Sequence, residues 1–133
     1  SMDDDAVGAV IEYAVLHLQL PDIVICGHTD CGGIKALYGH LDAKREPHIC
    51  RWLELIWPLR EQVKKSGVSE KMIVTETVKA NLLMQRDNLL TYNCVQEAIK
   101  EGRLKVHCWL YDLHTGDLLA YDEESKQWNK LGS

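Results

Sequence analysis

Asp22-Ile23-Val24-Ile25-Cys26-Gly27-His28-Thr29-Asp30-Cys31-Gly32-Gly33 is the stretch on which the fold turns. Its first half is a short apolar run rich in β-branched residues, bounded by Pro21 and Gly27. That pattern predicts a parallel strand buried on both faces. At Gly27 the character changes to a glycine-rich turn, and a helix is expected from there to about Tyr38. A strand that ends, turns and opens a helix is half of an α/β unit. The carboxyl end of such a strand is where open α/β sheets bind ligands.

The turn also carries metal chemistry. His28 and Cys31 lie three residues apart, close enough to reach one ion, and imidazole nitrogen with thiolate sulfur suits Zn²⁺. Cys31 falls where the next helix begins, and the free N–H groups of a helix start favour an anionic ligand. Gly27, Gly32 and Gly33 are read as the site's backbone, allowing a tight turn and close approach. On spacing alone two readings stay open: a metal pair, or a core thiol beside a turn histidine satisfied by backbone groups. Asp30 is read as a turn or cap residue. Cys26 is read as a core thiol one strand period deeper than His28.

Upstream, Asp3-Asp4-Asp5 offers caps for a helix over about residues 6–18, with Val7, Val10, Ile11, Ala14, Val15 and Leu18 at helical spacing. Downstream, Glu46-Pro47 opens a helix expected over about 48–65 and kinked at Pro58. Its predicted buried face is Ile49, Trp52, Leu53, Ile56, Leu59 and Val63. A further helix is expected from Ser69 to about Leu90, with Val74, Val78, Leu82 and Leu89 inward, then a short one from Tyr92 to Glu101. Strands over about 104–112 and 117–121, joined at Thr115-Gly116, predict a hairpin, and the polar tail after Asp122 an edge or loose segment. Two or three strands are few for so many helices, so the sheet reads as part of a larger one.

The 133 residues suit a single domain spanning 1–133, and the 46% apolar and 26% charged fractions are ordinary for a packed protein. The net charge of −5 and scattered basic residues give no basic patch, which argues against nucleic-acid binding. No apolar run approaches the ~20 residues of a membrane span, and no signal peptide opens the chain. The expected location is cytoplasmic, or an organelle if a transit segment has been removed. Five cysteines without secretory signals do not suggest a disulfide framework. Ser1-Met2 reads as a tag-cleavage remnant before a start residue, so an N-terminal truncation is expected.

The order of these motifs resembles β-class carbonic anhydrases. Ile11 to Leu16 and Asp22 to Gly33 look like that family's second signature. Trp52-Leu53, Glu76, Val78, Gln85, Asn88-Leu89, Thr91-Tyr92, His107-x-Trp109-x-Tyr111-Asp112 and Thr115-Gly116-x-Leu118 follow in collinear order. The resemblance implies a partial Rossmann-like α/β fold with a largely parallel sheet core and a C-terminal β-hairpin. It implies reversible, Zn²⁺-dependent hydration of CO₂ to bicarbonate, and a homodimer or higher oligomer. CS₂ or COS are substrates of related enzymes. His28 and Cys31 match two of the family's three metal ligands. The third cysteine, with an Asp–Arg pair, belongs to a C-x-D-x-R signature, and no such pattern occurs in these 133 residues. Its strand is expected beside Ile23–Cys26, so without it that strand has a bare edge. No catalytic residue can be assigned within the chain. This chain alone is therefore expected to be inactive, and the alternative is a non-catalytic assembly or regulatory module. Two departures from the family are Cys108, where its H-G-W motif has glycine, and Asn93, where proline is common.

Overall fold

The computed structural model describes residues 4–132. Ser1, Met2 and Asp3, which include part of the expected helix cap, lie outside the described residues, as does Ser133. Helix α1 (Asp5–Glu12) is capped by Asp4, whose carboxylate accepts from the backbone N–H groups of Ala6 and Val7. It runs directly into a π-helical turn, Tyr13–His17, so the predicted helix over 6–18 is one continuous rod with a change of winding. Strand β1 (Asp22–His28) follows, then the short helix α2 (Gly32–Ala36).

The helix expected over 48–65 is two helices, α3 (Pro47–Glu54) and α4 (Trp57–Lys65). The break falls at Leu55-Ile56, just ahead of Pro58. A proline is tolerated in the first turn of a helix but not in its interior, so Pro58 starts a new helix instead of kinking an old one. Helices α5 (Ile73–Leu89) and α6 (Asn93–Lys100) lead to β2 (Lys105–Tyr111), β3 (Leu118–Asp122) and β4 (Gln127–Lys130).

The sheet order is β1-β2-β3-β4. β1 and β2 are parallel, in register from Asp22 opposite Lys105 to His28 opposite Tyr111. The later pairings, β2–β3 and β3–β4, are antiparallel and form the expected C-terminal hairpin plus one further strand. Gly116 adopts a φ of 76° in the hairpin turn, a conformation that costs a glycine little.

Helices cover one face of this sheet. Ile34, Leu37, Leu53, Ile56, Leu59, Val78, Leu82 and Leu110 form one buried cluster, joining α2–α5 to the sheet. Val15, Leu89, Cys94, Val95, Ala98 and Leu104 form a second, under the π turn and α6. On β1, Ile23 and Ile25 pack against these clusters, whereas Asp22, Val24, Cys26 and His28 alternate onto the open face and are exposed. The expectation of a strand buried on both faces is therefore corrected, and Cys26 is an exposed thiol, not a core one. The physical reason is that β1 is an edge strand with helices on one side only. Ile49 and Trp52 likewise depart from the predicted buried face, being 43% and 58% exposed, because the residues of this stretch that enter the buried cluster are Leu53, Ile56 and Leu59. No described helix is long and apolar enough to cross a membrane.

Candidate functional site

The end of β1 is fixed by Thr29, a residue the sequence gave no reason to single out. Its backbone N–H donates to the Tyr111 carbonyl at 2.9 Å, and its hydroxyl accepts from the Leu113 N–H at 2.9 Å. With only 7% of its surface exposed, Thr29 ties the end of β1 to the chain leaving β2. A buried hydroxyl needs such a partner, since an unsatisfied one is costly.

His28 is the last residue of β1, and its Nδ1 lies 2.8 Å from the Thr29 carbonyl oxygen. A carbonyl can only accept, so Nδ1 carries the proton and donates. With the proton on Nδ1, Nε2 is the nitrogen whose lone pair a metal would take. This is the arrangement in which a metal-ligating histidine is oriented by the hydrogen bond of its other nitrogen.

Asp30 turns the chain next, with a φ of 54°. Aspartate is among the few side chains that tolerate this left-handed conformation, so the tight turn is made by Asp30 and not by the neighbouring glycines. The Asp30 carboxylate pairs with Lys35 of α2. The hydrogen bond and charge of Lys35 hold the Asp30 carboxyl below the usual carboxylate range, with smaller contributions from His114 and His28.

Cys31 occupies the N-cap position of α2 and is half-buried. Gly27 and Gly33 are closely approached by neighbouring side chains. A Cβ on Gly27 would lie 3.0 Å from the Leu82 side chain, and one on Gly33 would lie 3.3 Å from the Trp52 ring and 3.8 Å from Cys31 Sγ. Trp52, itself largely exposed, and the Cys31 thiol thus both border Gly33. A Cβ on Gly32 would meet open space.

Elsewhere, Cys94 and Cys108 are buried, and burial pushes both thiols up from the ordinary range. The side chain at 108, where the resembled motif has glycine, packs toward α5 with Sγ 3.7 Å from the Leu82 carbonyl. His107 Nε2 sits 2.8 Å from Asp22 Oδ1, clasping the starts of β2 and β1. Among the described residues no three His, Cys, Asp or Glu side chains gather closely enough to hold a metal ion.

Comparison with known proteins bears on this arrangement. The family model for carbonic anhydrase matches residues 1–118. This chain belongs to the β-class carbonic anhydrases. The carbonic anhydrase of Pseudomonas aeruginosa is 35% identical over 126 residues, covering 94% of the chain and 57% of the relative. Carbonic anhydrase 1 of Escherichia coli O157:H7 is 34% identical, covering 96% and 58%. Among solved structures, the β-carbonic anhydrase CcaA superposes with a TM-score of 0.81 at 30% identity, over 95% of this chain and 58% of that one. A tetrameric β-carbonic anhydrase of Sordaria macrospora superposes at 0.77 with 28% identity, over 100% and 63%. The chain therefore spans under three-fifths of the length of the curated relatives it matches.

Proposed function

We propose that His28 and Cys31 are two of the protein ligands of a Zn²⁺ ion in a carbonic anhydrase that hydrates CO₂ reversibly to bicarbonate. The observation that carries this reading is the Nδ1–H bond from His28 to the Thr29 carbonyl, which leaves Nε2 as the nitrogen available to a ligand. The donor set fits: one imidazole and one thiol at a strand end are borderline-soft ligands of the kind zinc takes. Zn²⁺, when bound, supplies the Lewis acidity that lets water ionise near neutral pH.

The chain's own residues do the positioning. Thr29 anchors the strand end, Asp30 turns the backbone between His28 and Cys31, and Lys35 steadies Asp30. Catalytic zinc sites usually present three protein ligands with a fourth position open. This chain provides two, so a further ligand has to come from outside residues 4–132 of the same chain. The 133-residue chain alone is accordingly proposed to lack appreciable hydratase activity. Stopped-flow CO₂ hydration with the zinc-replete chain tests this. The expected result is a rate at the uncatalysed background, and turnover comparable to a full-length relative would refute it.

Oligomerisation belongs to the same reading. A sheet with one face uncovered, exposing Val24 midway along β1 and Tyr111 and Leu113 near the site end, favours association. The neighbouring structures include tetrameric enzymes.

A further inference from the structure

Two hydrogen bonds tie the end of β1 to the chain leaving β2, and both use Thr29. Its N–H donates to the Tyr111 carbonyl and its hydroxyl accepts from the Leu113 N–H, each at 2.9 Å. The two partners stand on either side of Asp112, so Thr29 is held at two points of one short segment. Rotating Thr29 about its backbone would break one bond or the other. With Thr29 buried, a broken bond would leave a polar group without water to replace its partner.

The peptide that joins Thr29 to Asp30 carries the carbonyl to which His28 Nδ1–H donates. Its orientation is set by Thr29 on one side and by Asp30 on the other. Asp30 is held at a φ of 54° and paired with Lys35, whose main-chain N–H donates to the Cys31 carbonyl at 2.9 Å. The Asp30 anchor is local. The Thr29 anchor comes from the other end of the chain.

The turn that supplies the Leu113 N–H is internally bonded. Asp112 N–H donates to the Asp117 carbonyl, and the Asp112 carbonyl accepts from Gly116 N–H, both at 2.8 Å. The Asp112 carboxylate accepts from the N–H groups of His114 at 2.9 Å and Thr115 at 3.4 Å. The Thr115 hydroxyl accepts from Asp117 N–H at 3.1 Å. Side-chain bonds of this kind hold a turn in shape without a core beneath it. Leu113 therefore offers its N–H from a stiff turn, although its side chain is exposed.

We infer that the β2–β3 turn, residues 112–117, is a positioning device for His28 and acts through Thr29. By fixing the Thr29 carbonyl it selects the neutral imidazole protonated on Nδ1, and so makes Nε2 the nitrogen open to a ligand. Thr29 and Asp112 are positioning residues that act at a distance from the ring's free nitrogen. The tautomer selection stands on the hydrogen bonds alone. Its consequence for zinc rests on the reading of His28 as a ligand.

Asp122 supplies a matched control. It opens the β3–β4 turn as Asp112 opens the β2–β3 turn. Its carboxylate accepts from Glu124 N–H at 2.9 Å and its carbonyl from Lys126 N–H at 2.8 Å. Thr29 bonds to the chain entering the first turn, so only the first is coupled to His28.

Long-range ¹H–¹⁵N NMR correlations of the histidine rings, recorded on the zinc-free 133-residue chain at about pH 8.5, read the tautomer directly, because an ordinary imidazole is neutral there. His28→Gln identifies the His28 signal. The expected result is a ring protonated on Nδ1, unchanged in Thr29→Ser. Thr29→Val and Asp112→Ala each shift the ratio about 2- to 10-fold toward Nε2–H, the size of one weakened hydrogen bond, while Asp122→Ala leaves it in place. Zinc affinity, measured by chelator competition, falls about tenfold in Thr29→Val and Asp112→Ala and stays at the parental value in Thr29→Ser and Asp122→Ala. A parent ring protonated on Nε2, a parental ratio in Thr29→Val or Asp112→Ala, or an equal shift in Asp122→Ala would each overturn the inference. Should Thr29→Val not fold, amide exchange in the parent decides: slow exchange of Leu113 N–H is expected, and exchange at the rate of an open turn would overturn the inference. A shifted tautomer with unchanged zinc affinity would overturn the positioning role. Absence of zinc binding in the parent, or parental affinity in His28→Gln, would overturn the ligand reading instead and leave the tautomer result standing.

Discussion

Gly27→Ala tests how the core holds the site. Gly27 precedes His28, and a Cβ there would lie 3.0 Å from Leu82 Cδ2 and 3.3 Å from both Cδ1 and Cγ. Leu82 is 4% exposed and sits in the cluster with Ile34, Val78 and Leu110, so it cannot swing aside freely. Forcing one methyl into a packed core costs about 1–3 kcal/mol. The relief of glycine's excess unfolded-state freedom returns about 0.5–1 kcal/mol. The net expectation is a loss of about 1–2 kcal/mol. For a chain of this size each kcal/mol moves Tm by roughly 3–5 °C, so thermal or urea unfolding can resolve it. Leu82→Ala alone should cost about 2–5 kcal/mol through the cavity it leaves. The double variant should fall short of the sum of the two by about 1–2 kcal/mol, because the new methyl occupies part of that cavity. A Gly27→Ala protein as stable as the parent, or strictly additive variants, would refute the close-approach argument.

Other consequences are open to simple assays. Cys26, exposed on the open face, should react with a thiol reagent under native conditions well before Cys94 and Cys108, which are buried and whose thiols are pushed up by that burial. Mass mapping of labelled peptides against time would show it, and equal rates would contradict the open face. The Asp117 carboxyl is held below the usual range, first by its hydrogen bond with Lys130 on β4 at 3.0 Å and then by Thr115. Its folded-state pKa lies below the unfolded one, so its contribution is present above about pH 4 and is lost as pH falls through the folded value. The stability gap between parent and Asp117→Asn should therefore narrow on acidification from about pH 5 to pH 2. A gap that widens would contradict the pairing.

Much of this was legible in the sequence where one physical constraint dominates. The β-branched run before Gly27 located β1, and Thr115-Gly116 located the hairpin, because turn chemistry and strand composition act locally. β4 was not legible: Gln127-Trp128-Asn129-Lys130 has one apolar residue, and it is a strand because Tyr121 and Trp128 meet ring to ring across the hairpin, at 5.2 Å between centroids. Burial on α3 was misjudged at Ile49 and Trp52 because an amphipathic stripe does not say which part of it a neighbouring helix will cover. The exposure of Val24 and Cys26 follows from sheet position, which composition does not encode. At the site, His28 and Cys31 stood out by chemistry, whereas the clamp at Thr29 depends on a contact with Leu113, 84 residues away. No local pattern could announce that.

X-ray absorption at the zinc edge of the reconstituted chain tests the central claim most directly. The account predicts one sulfur neighbour at about 2.3 Å and nitrogen or oxygen neighbours at about 2.0–2.1 Å, with the sulfur lost in Cys31→Ser and an imidazole contribution lost in His28→Ala. A zinc shell without sulfur, or one that both substitutions leave unchanged, would contradict it.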